Sequence, residues 1–382
     1  MRTIGALASL ILILLVLLDG FETIVQPRRV TRRYSYARFF YGTIWGAWRA
    51  MALRLPSGKR REAFLSAFGP ASLLLLFATW FFGLIFSFAV LHWSLATAMH
   101  APEQRPTFIT YLYLSGTTFF TLGYGDVTPV RTLGRILAVV EAGLGFGFLA
   151  AMLSYLPMLF QAFSRRETSI SLLDARAGSP PSAAQLLLRL ARSSNSDRIN
   201  AFLVEWERWA AELLESHLSF PVLGYYRSQH DNQSWLATLT MILDTCTLLL
   251  VAVKNADIYQ AQLTFAMARH AAVDLTLVLR TPAGVNPAQR LSPEQLQRLR
   301  SLLGAAGVAL HDRPELDERI RQLVNLYEPF IHSLALHFLF PVPPIVPLED
   351  DAADNWQKSA WMPRSPGIGS LPLPSGDEGH FG

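Results

Sequence analysis

The sequence predicts an all-α membrane protein, and three observations predict it. Hydrophobic residues make up 51% of the 382 and charged residues only 16%, where a soluble chain carries about 25% charge. Charge-free stretches lie almost entirely before Ser164, and charged residues dominate after it. No segment shows the apolar–polar alternation of a half-buried strand, so the later part reads as a helical bundle. The pattern sets out five units: 1–25, an extra N-terminal transmembrane helix; 26–62, a basic amphipathic segment; 63–166, a membrane unit; 167–340, a helical domain; and 341–382, a disordered tail rich in proline, glycine and acidic residues.

The first apolar run, from Ile4 to Leu18, ends at Asp19-Gly20 and falls short of the roughly 20 residues a span needs. A cleaved signal peptide would need a basic start and a small-x-small site. Arg2 is weakly basic and Leu17-Leu18-Asp19-Gly20 is a poor site, which favours a retained helix. Next come Arg28, Arg29, Arg32, Arg33, Arg38 and Arg49, then Arg54, Lys59, Arg60 and Arg61. Between them Phe40, Ile44, Trp45 and Trp48 follow helical spacing. This mixture fits an amphipathic helix on the inner membrane surface. The arginines do not repeat every third position inside an apolar span, which excludes a voltage sensor.

Residues 63–102 contain no Lys, Arg, Asp or Glu, so a span is predicted with its core over 69–91. A polar link, 92–106, precedes an apolar stretch over 107–120 that is too short to cross. A glycine-rich segment follows, and then a long helix over 132–163, closed by Arg165-Arg166. The positive-inside rule places 26–61 in the cytosol, the N-terminus outside and the helical domain inside. The predicted location is a cell membrane, multi-pass, of bacterial inner-membrane type. In the helical domain the periodicity predicts helices over 182–192, 196–216, 233–254, 257–278, 292–303 and 313–339. Ser292-Pro293-Glu294-Gln295 is a capping box with proline at its first helical position, and Asp312 to Glu315 repeats that logic.

The segment Thr121-Leu122-Gly123-Tyr124-Gly125-Asp126 carries the chemistry. Non-helical backbone at membrane depth is tolerated only where it is buried or lines water. A cation gives up its hydration only to replacement oxygens, which successive inward-pointing carbonyls supply. Gly123 and Gly125 relax the dihedral limits that oppose this arrangement. Thr121 adds a hydroxyl at the inner mouth, Tyr124 can brace the wall, and Asp126 places negative charge at the outer end. An ordinary turn between two helices is the bland alternative.

The segment resembles the potassium-channel signature Thr-Val-Gly-Tyr-Gly-Asp, departing only at Leu122. The resemblance extends through Thr117-Thr118 upstream and Pro129 and Gly134-Arg135 downstream, covering about 71–160, under a third of the chain. It implies a two-helix potassium-channel pore module of the bacterial, single-pore-loop type, with a re-entrant pore helix over about Phe108–Phe119. It further implies K+ held by the carbonyls of Thr121, Leu122, Gly123 and Tyr124, and four subunits around one axis, hence a homotetramer in the lipid bilayer. The pore helix would aim its negative dipole end at the cavity. K+ would be the permeant ion, with no cofactor.

On the last helix of that module, Gly143, Gly145, Gly147 and Pro157 read either as a gating hinge or, for the glycines, as close packing. By spacing from Gly134, Gly145 best matches the hinge position the resemblance implies. Glu141 is the one carboxylate deep in the span and a functional candidate. It either supports the pore helix, near Thr117 or Thr118, or faces the pore. The resemblance favours support behind the filter.

In the helical domain no GxGxxG, P-loop or calcium loop appears. The stretch holding Tyr226, Arg227, His230, Asp231 and Trp235 reads as a regulatory loop, a contact with the membrane unit, or a polar cap on the next helix. His270 and Asp274, one turn apart, are a salt-linked pair more readily than a metal site. The domain resembles the helical C-terminal regions of uncharacterised bacterial two-transmembrane-type channel proteins, which supplies no ligand. The pI near 9.3 does not indicate nucleic acid, since the basic residues cluster beside apolar spans. A lone cysteine, Cys246, excludes a disulfide framework. No triad, phosphate loop or metal cluster points to an enzyme. The expected function is passive potassium conduction modulated by the helical domain. The alternatives are a non-selective cation channel and a weakly conducting sensor or scaffold.

Overall fold

Among the described residues, three helices long and apolar enough to cross a membrane set the architecture in the computed structural model. It describes residues 2–26, 36–103, 105–191, 197–230, 232–254, 256–281, 290–311 and 315–346. The fold is nearly all-α. Arg28, Arg29, Arg32, Arg33, Asp231, Asp312 and nearly all of the expected tail lie outside these residues.

Helix α1 (Arg2–Ile24) has 23 residues, about 34 Å at 1.5 Å per residue. The apolar run stops at Asp19-Gly20, and the helix continues close to the expected end at 25 because Asp19 is satisfied from elsewhere. Its buried carboxylate accepts the Trp80 indole N–H at 3.0 Å. It also accepts the backbone N–H groups of Tyr36 at 2.9 Å and Ala37 at 3.1 Å, in the first turn of α2 (Tyr36–Ala52). Those donors have no partner inside a helix. Asp19→Ala would strand them and the indole at a cost of about 1–3 kcal/mol. The expected result is a lower thermal midpoint, with Asp19→Asn losing less, read by melting the purified protein.

The aromatic face of α2 was expected on the membrane surface, but protein covers it. Trp45 packs edge-on against Phe68 and Tyr225, and its indole N–H donates to the His337 carbonyl at 3.0 Å. Phe39, on the other side, is 71% exposed. The helical domain supplies apolar surface that competes with lipid for the same face, a competition no local pattern reports. A short α3 (Lys59–Ser66) follows.

Helix α4 (Phe68–Ser94) is apolar on all sides, as a span in contact with both protein and lipid should be. Between it and α6 (Thr132–Ala177) lies α5 (Phe108–Phe119). A two-residue antiparallel ladder pairs β1 (Met99–His100) with β2 (Thr128–Pro129), with Met99 opposite Pro129 and His100 opposite Thr128. It ties the link after α4 to the exit of the glycine-rich segment. Helix α6 does not end at Arg165-Arg166. It continues to Ala177 because Arg166 is buried against later parts of the chain rather than solvated.

The helical domain contains α7 (Ala183–Ala191), α8 (Asp197–Ser219), a single 3-10 turn (Pro221–Tyr225), α9 (Trp235–Val251) and α10 (Ile258–Val278). It is completed by α11 (Pro293–Ala305), α12 (Leu316–Asn325) and α13 (Glu328–Phe338). Helix α9 is its centre, buried from Trp235 to Leu249. The single helix expected over 313–339 is two, broken at Leu326-Tyr327. Pro329 sits in the first turn of α13, where it cannot continue a preceding helix. Tyr327 is turned inward, its hydroxyl donating to Asp244 at 2.5 Å. Arg290 bridges Asp244 at 2.8 Å and Glu328 at 2.8 Å, and these acceptors hold its guanidinium charged despite burial. Part of the expected disordered tail is packed: Ile345 and Val346 are buried, and the Ile345 carbonyl accepts the Ala184 N–H at 3.1 Å.

Candidate functional site: the glycine-rich loop and its supports

Reciprocal threonine capping starts α5, with the Thr107 N–H donating to the Thr110 hydroxyl at 3.1 Å. The helix ends at Phe119, and the chain then leaves helical geometry abruptly. Thr121 has φ 57°, Gly123 55° and Gly125 79°, all in the left-handed region that favours glycine. The Leu122 N–H turns back to the Thr117 carbonyl at 2.8 Å, with Gly123 N–H on the same oxygen at 3.4 Å. Thr118 accepts from Thr121 N–H at 3.0 Å. Thr117 and Thr118 therefore support the loop through backbone carbonyls. The Thr117 hydroxyl stays within its own helix, on Tyr113 and Leu114. Asp126 accepts the Tyr113 hydroxyl at 2.9 Å. Tyr124, expected to brace the wall, is 69% exposed in the single chain, and Leu122 is 56% exposed.

Behind the loop, α5 lies against α6. Gly145 is where they meet: a Cβ there would collide with the Phe119 carbonyl oxygen and lie 2.9 Å from its carbon. Gly143 and Gly147 would meet nothing within 4 Å among the described residues. One helix runs unbroken through all three and through Pro157. Glu141 has no exposed surface. Its partner on α5 is the Ser115 hydroxyl, not a threonine. His92 Nε2 stands 3.8 Å from its other oxygen, and His92 Nδ1 meets the Thr97 hydroxyl at 3.1 Å. Sequence reasoning missed Ser115, His92 and Thr97. Which way a serine faces on a short apolar helix, or a histidine at a span's end, has no local signal.

Where α6 leaves the membrane unit, Arg166 is buried. It donates to the carbonyls of Leu223 at 2.9 Å and Tyr226 at 2.7 Å, and to Glu167 at 3.0 Å. The expected regulatory loop is thus a junction. Tyr226 packs beside Phe163 and over Gly69, and burial pushes its hydroxyl up to about 12. Arg227 joins Glu62 of α3 at 2.6 Å to the Phe338 carbonyl at 2.6 Å. Trp235 is fully buried at the start of α9. His230 alone of the described members is solvent-facing. His270 and Asp274 lie 3.7 Å apart, and no third ligand joins them among the described residues.

Residues 73–162 match the family described as ion channel. Over 272 residues the chain is 23% identical to the uncharacterized membrane protein YdjJ of Bacillus subtilis (strain 168), a stretch covering 67% of this chain and 77% of that protein. It is 60% identical over 35 residues to protein LctB of Geobacillus stearothermophilus, covering 9% of this chain and 25% of LctB. Against LctB of Bacillus caldotenax it is 32% identical over 77 residues, 18% of this chain and 57% of that protein. No solved structure matches significantly. The chain is therefore a multi-pass membrane protein in which residues 73–162 match the ion channel family.

Proposed function

We propose that this chain is one subunit of a homotetrameric, potassium-selective channel, with 121–126 as its filter. The observation that carries this reading is the loop itself. Directly after a short helix between two spans, left-handed dihedrals at Thr121, Gly123 and Gly125 turn a run of backbone away from helical bonding. One such loop cannot enclose an ion, so several copies must share an axis. Leu122 and Tyr124, exposed in the single chain, then have neighbouring subunits to pack against, as do Ile136 and Val139 on α6. With 26–62 cytosolic, the N-terminus is outside and the helical domain inside. That domain modulates the pore through the Arg166 junction.

The test is potassium against sodium flux in liposomes holding the purified protein. Potassium-selective flux is expected. Gly123→Ala, which forces a side chain into a left-handed position costing about 1–2 kcal/mol, is expected to lower it by roughly tenfold. Equal sodium flux would instead indicate a non-selective cation channel, with Leu122 as the first residue to revert to valine.

A further inference from the structure

Ser115 has one hydroxyl proton and two oxygens in reach, the Ile85 carbonyl at 2.8 Å and the carboxyl of Glu141. A carbonyl only accepts, and an ionised carboxylate only accepts. If Glu141 were ionised, one of these two close contacts would have no proton between its oxygens. With a proton on Glu141 both are satisfied: Glu141 donates to Ser115, and Ser115 donates to Ile85. The setting agrees, since Glu141 and His92 are wholly buried and burying an unpaired charge is costly. Glu141 Oε2 and His92 Nε2, 3.8 Å apart, both lack a hydrogen-bond partner among the described residues.

We infer that Glu141 carries a proton in the working protein, and that the relay from Glu141 through Ser115 to the Ile85 carbonyl is a positioning device for the filter. It ties α6 to α4 across α5, one turn before that helix ends at Phe119. This rests on the conduction reading above and extends it to regulation by pH. Raising pH moves the Glu141 proton to hydroxide, giving water and a carboxylate. Ser115 then turns its only proton to Glu141 and releases Ile85, so α5 loses its bond to α4. His92 Nε2 is the nearest other base. The remaining titratable groups nearby are engaged elsewhere: Tyr111 of α5 with the Thr97 carbonyl at 3.3 Å, Tyr113 with Asp126, and Arg135 of α6 with the Pro129 carbonyl at 3.2 Å.

Two readouts test this on the full-length protein in liposomes. The first is the infrared carbonyl band of a protonated carboxyl, assigned by its loss in Glu141→Gln. It is expected at neutral pH and should disappear as pH rises. The second is the potassium-to-sodium flux ratio against pH. It should fall with that same band in the wild type. In Glu141→Gln, whose amide still donates, it should stay flat at the neutral wild-type value. Glu141→Ala and Ser115→Ala should sit about tenfold lower at every pH, the order one lost hydrogen bond allows. Assembly is checked by sizing each variant, and rescue by glutamine separates positioning from bulk stability. No such band at neutral pH overturns the inference, whether or not the protein conducts. A flux ratio unchanged in Ser115→Ala and Glu141→Ala overturns the positioning role. Wild-type liposomes that show the band but no flux support the protonated relay and sink the conduction reading instead.

Discussion

Gly145→Ala is expected to lower potassium flux by at least about tenfold and to depress the thermal midpoint of the assembled protein. The added methyl would enter space held by the Phe119 carbonyl oxygen, with the Phe119 Cα at 3.1 Å. Backbone cannot swing aside as a flexible side chain can, so α5 and α6 must separate. Overpacking of this kind costs about 1–3 kcal/mol. The displaced atoms belong to the last residue of α5, so the shift passes directly into Thr121 and Gly123. The neighbouring glycines provide the comparison, because a Cβ at Gly143 or Gly147 meets nothing within 4 Å among the described residues. Flux and melting measured together decide it. A Gly145→Ala protein that conducts and melts like the wild type would show that this contact does not position the loop. Loss of flux with Gly143→Ala instead would direct attention to bending of α6.

The loop was legible in the sequence because its signal is local. Glycine at alternate positions, a flanking threonine pair and bounding apolar runs all lie within about 60 residues. The start of α11 was legible for the same reason, where Ser292 accepts the Gln295 N–H at 3.2 Å, while α5 came from the family resemblance, which implied a helix over about Phe108–Phe119. What was not legible depends on partners far along the chain. Asp19 read as the end of the apolar run, and its acceptor role for Trp80, 61 residues away, left no local signal. Arg165-Arg166 looked like a solvated stop, yet one of the two is buried. The aromatic stripe of α2 is amphipathic whatever covers it, and periodicity cannot distinguish lipid from another helix. Glu141 was visible as an anomaly, but its partner was assigned to the wrong residue of α5. The side from which a buried side chain is approached is a tertiary fact.

Arg166→Leu is expected to uncouple the helical domain from the pore. In the wild type the guanidinium fork holds two carbonyls of the 3-10 turn and its exit, Leu223 and Tyr226, while pairing with Glu167 at 3.0 Å. Leucine fills part of the volume but strands both carbonyls and leaves Glu167 without its counter-charge. Removing one partner of a buried pair costs about 3–5 kcal/mol, which lowers a melting midpoint by roughly 10 °C for a domain of this size. Arg166→Lys keeps the charge without the planar fork and should fall between. His217 supplies a pH signature. Its Nδ1 lies 2.8 Å from the Leu213 carbonyl, which makes it the donor and leaves Nε2 as an acceptor facing Arg166 at 3.4 Å. Burial first, and then the Arg166 charge, push the ring from 6.5 down to about 3. Because the folded value is depressed, His217's contribution is complete above about pH 6.5 and is lost as pH falls towards 3. Removing Arg166 should raise the folded value and shallow that acid slope. Melting curves between pH 7 and pH 4 would show it, alongside faster protease cleavage between α6 and α8. A variant with unchanged cleavage, melting and acid slope would mean that this junction holds nothing, and the route from helical domain to pore would have to run through Arg227 and Glu62 instead.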